Sequence, residues 1–558
     1  MLHPKNNRID YGEQLIPPFG YELSQAIGTT YSLDLEALMV LPVALFYSQN
    51  LDGHPDELRY DMLDAITKAA EKITVFYQNG QLKVPQKYHH LMAYWEKGIQ
   101  PVTMPNHVSS FHPKVWVIRY ESKELPPRYR VVVTSRNLTF ARDWDVAFSS
   151  EGMVSEKEQP KNRPLVHFLN YLDETGKKKI ASTFLTDLMT VKFDVPEKFE
   201  SFRFAPIGIK NSETGKQYLN PLTASKTSWD ELLIISPFID QPTLRTLQGA
   251  TLKKPYLLST KSELDSIPVE LLQTFNTWQF SKFIEEAEKM QELAEEETPA
   301  MEQNLHAKLF IGMKERTPTW YLGSANCSDP AQGRNVEFLM ELTGSDTNGT
   351  KARDIFNALT SPSKSDGIVL FTQYDGDQRV SVEEQKRIDL EIRKIKYDLS
   401  KLTLTGIATK VEGGTAYDLV ITIDTTKITW PSDFIIKVKP LPENQKSSAL
   451  LQSKAINRYE DFTGYAETSL SPFLEFEISK AGFVHSRFLM DMEIELPESR
   501  LQKIFTSIIN SREKFLKYLT FLLTGEEIAI IENGAAKSDI SKNQNGHGSW
   551  SSSGTPVF

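Results

Sequence analysis

Three short blocks occur twice along this chain, in the same order. FHPKVWVIRY (111–120) is echoed by LHAKLFIGMK (305–314), VVVTSRNLT (131–139) by TWYLGSANCS (319–328), and DWDVAF (143–148) by NVEFLM (335–340). Chance supplies one such pair easily, but three in order mark an internal repeat. A repeat constrains the fold strongly, because each half has to build the same supersecondary unit. Apolar runs with strand character precede the blocks, ITVFYQNG (73–80) in the first half and ELLIISPFID (231–240) in the second. Tyr31–Tyr47 suits a helix or buried segment, and 56–72 has helical periodicity. The expected class is α/β, with two repeats forming a pseudo-dimer.

Within each first block a His and a Lys stand two apart, His112 and Lys114, then His306 and Lys308. On a strand that spacing sends both side chains to one face. One such pair means little, since most are solvated strand faces. Here each is followed by a Ser-x-Asn turn, Ser135-Arg136-Asn137 and Ser324-Ala325-Asn326. If the halves pack about a pseudo-two-fold axis, two His, two Lys and two Asn converge. That set suits a tetrahedral phosphoryl group. Lysine is a compact cation for phosphate oxygens, and the asparagines add fixed dipoles where charge develops. One imidazole can attack phosphorus while the other protonates the leaving oxygen and then activates water. No metal or other cofactor is called for, because lysine supplies the positive charge.

HPK…SRN and HAK…GSAN resemble the paired motifs of the phospholipase D superfamily over roughly residues 20 to 345. The resemblance implies two α/β repeats sharing one active site, built from His112, Lys114, Asn137, His306, Lys308 and Asn326. Many family members carry Asp five positions after the lysine, where this chain has Arg119 and Met313. The pattern is therefore similar to the tyrosyl-DNA phosphodiesterase branch and to some nucleases. In similar enzymes a carboxylate or amide near the third block orients a catalytic His. That implies Glu337 with His112 and Asp145 with His306. Ser135, Ser324 and Arg136 are expected to bind substrate, and the likeness favours His112 as the nucleophile.

The charge balance is −10 over 558 residues, which argues against wholesale coating by nucleic acid. From His112 to Arg142, however, seven Lys/Arg face two acids, a local +5 beside the first motif. The lone cysteine, Cys327, excludes an internal disulfide and any cysteine-based metal cluster; it reads as a small buried filler. Trp116 and Trp144 could stack a base but are more often core. His89, His90 and His107 stand just before the first motif, where loop histidines usually have no role. MLHPKNNRIDYGEQ lacks the order of a signal peptide. The longest apolar run, Ala37 to Phe46, is too short for a bilayer and contains Pro42. The expectation is cytoplasmic, with no membrane.

Domain boundaries are expected as follows: first repeat with an N-terminal extension, 1–200; second repeat, 201–345; helical linker, 346–400; β-rich accessory domain with a C-terminal helix, 401–532; and a polar tail, 533–558. The second repeat carries an acidic insert, Ser281 to Glu297, read as a solvated spacer; the sharper idea is a lid over a basic cleft. Two-repeat proteins of this layout resemble components of bacterial restriction or anti-phage systems that work beside a helicase or other ATPase. The leading expectation is a metal-independent nuclease or phosphodiesterase acting on nucleic acid, DNA in the first instance. The alternatives are a phospholipase D-type lipid hydrolase or phosphatidyl transferase, and an inactive nucleic-acid-binding module.

Overall fold

The computed structural model describes residues 14–47, 67–140, 143–224, 227–281, 283–284, 302–345, 349–362, 369–376, 383–442 and 448–509. Most of the acidic insert, the polar tail and the end of the expected terminal helix lie outside these residues. The chain is mixed α/β with several sheets.

The first half contributes β1 (Glu22–Thr30), β2 (Ile73–Gln78), β3 (Ile99–Val102), β4 (Val115–Glu121), β5 (Arg128–Thr134), β6 (Asp143–Trp144), β7 (Ala147–Val154) and β8 (Val191–Phe193). The second contributes β9 (Phe199–Ile207), β10 (Glu231–Ile235), β11 (Tyr256–Ser259), β12 (Asn276–Phe280), β13 (Phe283–Ile284), β14 (Glu302–Leu305), β15 (Leu309–Lys314), β16 (Thr317–Gly323), β17 (Glu337–Gly344) and β18 (Phe371–Gln373). One sheet runs β3-β2-β1-β4-β5-β7-β8, the other β18-β12-β11-β10-β15-β16-β17-β9. In each, three parallel strands meet an antiparallel meander: β1 pairs β2 parallel and β4 antiparallel, as β10 pairs β11 and β15. The repeat is thus visible as topology. It also shifts one correspondence. The partner of β10 is β1, and Ile73–Gln78 matches β11 instead.

Strand patterning explains the layering. In β4, Val115 and Val117 face a core shared by both sheets, while Trp116, Ile118 and Tyr120 face a second core under the helix Leu35–Tyr47. In β15, Leu309 and Ile311 enter the shared core, and Phe310 enters a third with the helix Gln241–Gly249. Gly28 lets Trp116 lie across β1, since a Cβ there would come within 2.7 Å of the ring. Trp116 and Trp144 are both buried, so neither is free to stack a base.

Beyond residue 345 the structure differs from the expected linker. β18 completes the second sheet. The helix Glu383–Leu399 buries Ile392, Ile395 and Leu399 in the core of the β-rich unit. That unit holds β19 (Leu404–Lys410), β20 (Ala416–Asp424), β21 (Phe434–Pro440), β22 (Ala449–Leu451), β23 (Ile456–Ala466), β24 (Phe473–Lys480) and β25 (Phe483–Asp491), in sheets β19-β20-β23 and β22-β21-β24-β25. It is seated on the first half. Leu441, Phe473 and Leu489 join the core around β1, with Ile504 of the helix Arg500–Ile509.

Among the described residues, no helix is long and apolar enough to cross a membrane.

Candidate active site

The two His-x-Lys motifs do not lie within strands. Each sits in the turn of chain leading into one, His112 and Lys114 before β4, His306 and Lys308 before β15. The Ser-x-Asn turns follow β5 and β16, and the third blocks lead into β7 and β17. All these positions fall at one end of each sheet.

The halves are joined at that end by crossed backbone pairings. Phe111 pairs with Val336, and the His112 amide donates to the Val336 carbonyl at 2.8 Å. Reciprocally, β14 pairs with β6, Leu305 against Trp144, and the His306 amide donates to the Trp144 carbonyl at 2.9 Å. Each motif therefore faces the third block of the other half.

His112 donates from Nδ1 to Glu337 Oε2 at 3.0 Å. The Glu337 carboxylate is fully buried; Oε2 also accepts from the Ser324 hydroxyl and Oε1 from Asn335 Nδ2 at 3.1 Å. Burial pushes this carboxyl up, but His112, Lys114 and Ser324 outweigh it and hold it below the ordinary glutamate range. Lys114 Nζ lies 3.1 Å from Nδ1 and 3.2 Å from Nε2 of His112, so it sits against the ring face and is in line with neither lone pair. It donates to the His112 carbonyl at 3.0 Å. Burial first, and then Lys114 and Lys308, push the His112 imidazole down to about 4 against the pull of Glu337.

His306 departs from this symmetry. Its Nδ1 donates to the Ser135 carbonyl at 2.6 Å, where the sequence pointed to Asp145. A carbonyl can only accept, so it fixes the same tautomer without a charge. Burial and the neighbouring cations hold His306 well below its usual value. Lys308, also fully buried, donates to the His306 carbonyl at 2.7 Å and lies 3.5 Å from the Ser135 carbonyl. Burial draws it down to about 7, although Glu337, Asp145 and Asp143 oppose the shift. Asp145 is pushed up to about 6 by burial, with Arg136 and Lys308 opposing. It is close to the lysine and has no bond to His306.

Both imidazoles therefore hold their proton on Nδ1 and present a bare Nε2. Oδ1 of Asn137 and of Asn326 is buried without a hydrogen-bond partner among the described residues. Burial and the charge of Lys308 hold Lys114 well below the ordinary lysine range, so an anion with tetrahedral oxygens between the two lysines would favour their charged forms.

Ser135 and Ser324, expected to bind substrate, have their hydroxyls engaged within the fold. Both are fully buried. The Ser135 hydroxyl bonds the Val146 backbone at 3.0 and 3.3 Å, and the Ser324 hydroxyl accepts from the Phe338 amide at 2.9 Å while holding Glu337. Arg136 donates to the Thr139 carbonyl at 3.2 Å and acts electrostatically on Asp143 and Asp145. Three of the seven cations in the +5 stretch are paired within the fold. Arg119 pairs with Asp187 at 2.9 Å and with Glu121, Arg128 with Glu151 at 3.3 Å, and Arg130 with Glu151. Cys327 is a buried filler. His90 bonds the Thr468 carbonyl at 2.9 Å and so ties the β-rich unit to the first half.

Several positioning residues were missed. Thr30 Oγ1 accepts from the Leu138 amide and Ser236 Oγ from the Cys327 amide, each at 3.0 Å, which pins the residue after each motif asparagine. Asp34 and Asp240 then cap the following helices through Glu36 and Thr243, each at 3.0 Å. The signal was a fourth repeat block, TYSLD (30–34) against SPFID (236–240): hydroxyl, two residues, apolar, Asp. Tyr31 in that block packs on His112 with ring centroids 5.0 Å apart. No group of three His, Cys, Asp or Glu that could hold a metal ion stands together among the described residues.

No protein-family model matches the chain, and no curated protein matches it. Among solved structures, a mutant of yeast tyrosyl-DNA phosphodiesterase is similar at 12% identity and a TM-score of 0.36, over 60% of this chain and 84% of that one. A second mutant of that enzyme scores 0.38 at 12% identity, over 60% and 85%. The phosphatidylserine synthase of Haemophilus influenzae Rd KW20 scores 0.35 at 10% identity, over 70% and 91%. Scores at this level say nothing of the reaction, which has to be read from the site itself.

Proposed function

We propose that this chain is a phosphodiesterase that cleaves nucleic acid through a phosphohistidine, with its two repeats acting as a pseudo-dimer around one site. The observation that carries this reading is the crossed pair of imidazole contacts: His112 on Glu337 of the second half, His306 on the Ser135 carbonyl of the first.

His112 Nε2 attacks phosphorus, and the ring gains positive charge as the N–P bond forms. Glu337 stabilises that charge through Nδ1, which is why His112 is assigned the attack. The bond from phosphorus to the leaving oxygen breaks, and that oxygen takes a proton from His306 Nε2. His306 acquires this proton when the bound phosphate anion offsets the cations that hold it neutral. Neutral again, His306 takes a proton from water. The hydroxide oxygen attacks phosphorus, the N–P bond breaks and His112 is released. Lys114 and Lys308 hold the equatorial oxygens, and Asn137 and Asn326 donate to them.

Metal independence is part of the same proposal and is supported by the placement of Lys114 and Lys308, whose charged forms a bound phosphate favours. A role in a bacterial restriction or anti-phage system, with a helicase or other ATPase supplied by a separate protein, belongs to the same proposal and rests on the layout resemblance alone. The test is turnover of labelled DNA, labelled RNA and phospholipid vesicles with EDTA present. Cleavage of nucleic acid abolished by His112→Ala and by His306→Ala supports the reading. Cleavage only with added magnesium contradicts the mechanism, turnover of vesicles alone contradicts the substrate, and binding without turnover favours an inactive module.

A further inference from the structure

The helix Glu383–Leu399 belongs by its buried face to the β-rich unit, yet its other face meets the approach to the first motif. Tyr397 donates to the Pro105 carbonyl at 2.6 Å, and Asn79 Nδ2 donates to the Ser400 carbonyl at 3.2 Å just past the helix end. Arg393 Nη2 donates to the Ser110 hydroxyl at 2.7 Å, two residues before His112. The same guanidinium is the charge that opposes burial at the Tyr31 hydroxyl, and the Tyr31 ring packs on His112. Arg393 therefore stands at the His112 side of the site.

Its own bonding is sparse. The guanidinium has five N–H donors, and the Ser110 hydroxyl takes one. Among the described residues it has no carboxylate partner, whereas Arg119, Arg128 and Arg130 nearby in sequence to the motif all do. It is half-buried, so it can still reach a ligand. Lys114 and Lys308 are already committed to the scissile phosphate.

We propose that Arg393 is a substrate-binding residue that holds the phosphate next to the scissile one along a nucleic-acid strand, so that the β-rich unit completes the substrate cleft. This rests on the nucleic-acid reading above. Its alternative is a purely structural tie, because Ser110 continues through its amide to Asn335 Oδ1 at 2.9 Å and from Asn335 to Glu337.

The experiment compares Arg393→Gln and Arg393→Lys with the unaltered protein on two substrates. One is a single-stranded oligonucleotide; the other is bis(p-nitrophenyl) phosphate, a diester with no second phosphate. Arg393→Gln is expected to raise KM for the oligonucleotide about tenfold with kcat within about twofold, and to leave the small diester within about twofold. Arg393→Lys, which keeps the charge and loses the fork, falls between. In a His112→Ala background, Arg393→Gln lowers the salt slope of oligonucleotide binding by about one. Equal losses on both substrates show a structural tie and overturn the proposal, as do an unchanged KM and slope. A native protein that hydrolyses the small diester but neither binds nor cleaves the oligonucleotide overturns the nucleic-acid reading itself, and Arg393's role with it.

Discussion

Glu337 takes one of its three partners, His112, from the opposite half and keeps that partner's tautomer fixed. Replacing it with Gln keeps the shape and removes the charge that stabilises a phosphorylated imidazole. We expect kcat to fall by roughly 100-fold with little change in KM, within the usual range for a positioned proton-transfer group. Steady-state kinetics on the oligonucleotide checks this, and intact turnover removes Glu337 from the mechanism. The pH profile of kcat/KM tests the lysines. Below about pH 4 His112 Nε2 takes a proton and the nucleophile is lost. Lys308 has its pKa drawn down to about 7, so above that pH its ammonium deprotonates and the oxygens lose a cation. Because His306 must also gain a proton, activity per free enzyme should decline as pH rises and decline more steeply above about 7, and a rate that climbs steadily to pH 9 contradicts the role given to Lys308. His112, Lys114, His306 and Lys308 were legible because side-chain type and spacing recur. The contact of His306 with Ser135 was not, since a main-chain carbonyl leaves no signature in residue type.

At the scale of elements, the turns after β5 and β16 carry the asparagines, and their geometry is set from below. Gly323 ends β16 at φ +146°, and a Cβ there would meet the Phe338 carbonyl oxygen at 2.3 Å. Gly323→Ala should cost at least about 2 kcal/mol of stability, read by urea unfolding, and should misplace Ser324 beneath Glu337. A variant as stable and active as the native protein would show that this turn has room to adjust. Strand order could be inferred only in part. Three blocks carried the meander of each half, but β1 was not recognised as the partner of β10. The helix-capping TYSLD block that marks it matches SPFID only in residue class. The helix Glu383–Leu399 was visible as a helix, while its apolar stripe gave no hint of which core it would enter.

Across the whole molecule, the β-rich unit is bound to the first half by more than apolar contact. Arg500 and Glu96 form an ion pair 2.7 Å long with side chains only 3% and 11% exposed. Removing one partner leaves a buried charge, so Arg500→Ala should destabilise the chain by roughly 3–5 kcal/mol. Denaturant unfolding followed by tryptophan fluorescence reads this, and a change below about 1 kcal/mol would mean the docking does not depend on the pair. Such long-range seating is set by tertiary packing, which residue pattern alone does not reveal. The central claim, however, is chemical and concerns one atom, Nε2 of His112. Rapid acid-free quenching during turnover of a labelled oligonucleotide, followed by proteolysis and peptide mass analysis, locates any covalent intermediate. The account predicts a nucleotide adduct on the peptide that contains His112, lost in His112→Ala. An adduct on the His306 peptide would reverse the two roles, and turnover with no adduct on either would contradict the phosphohistidine mechanism.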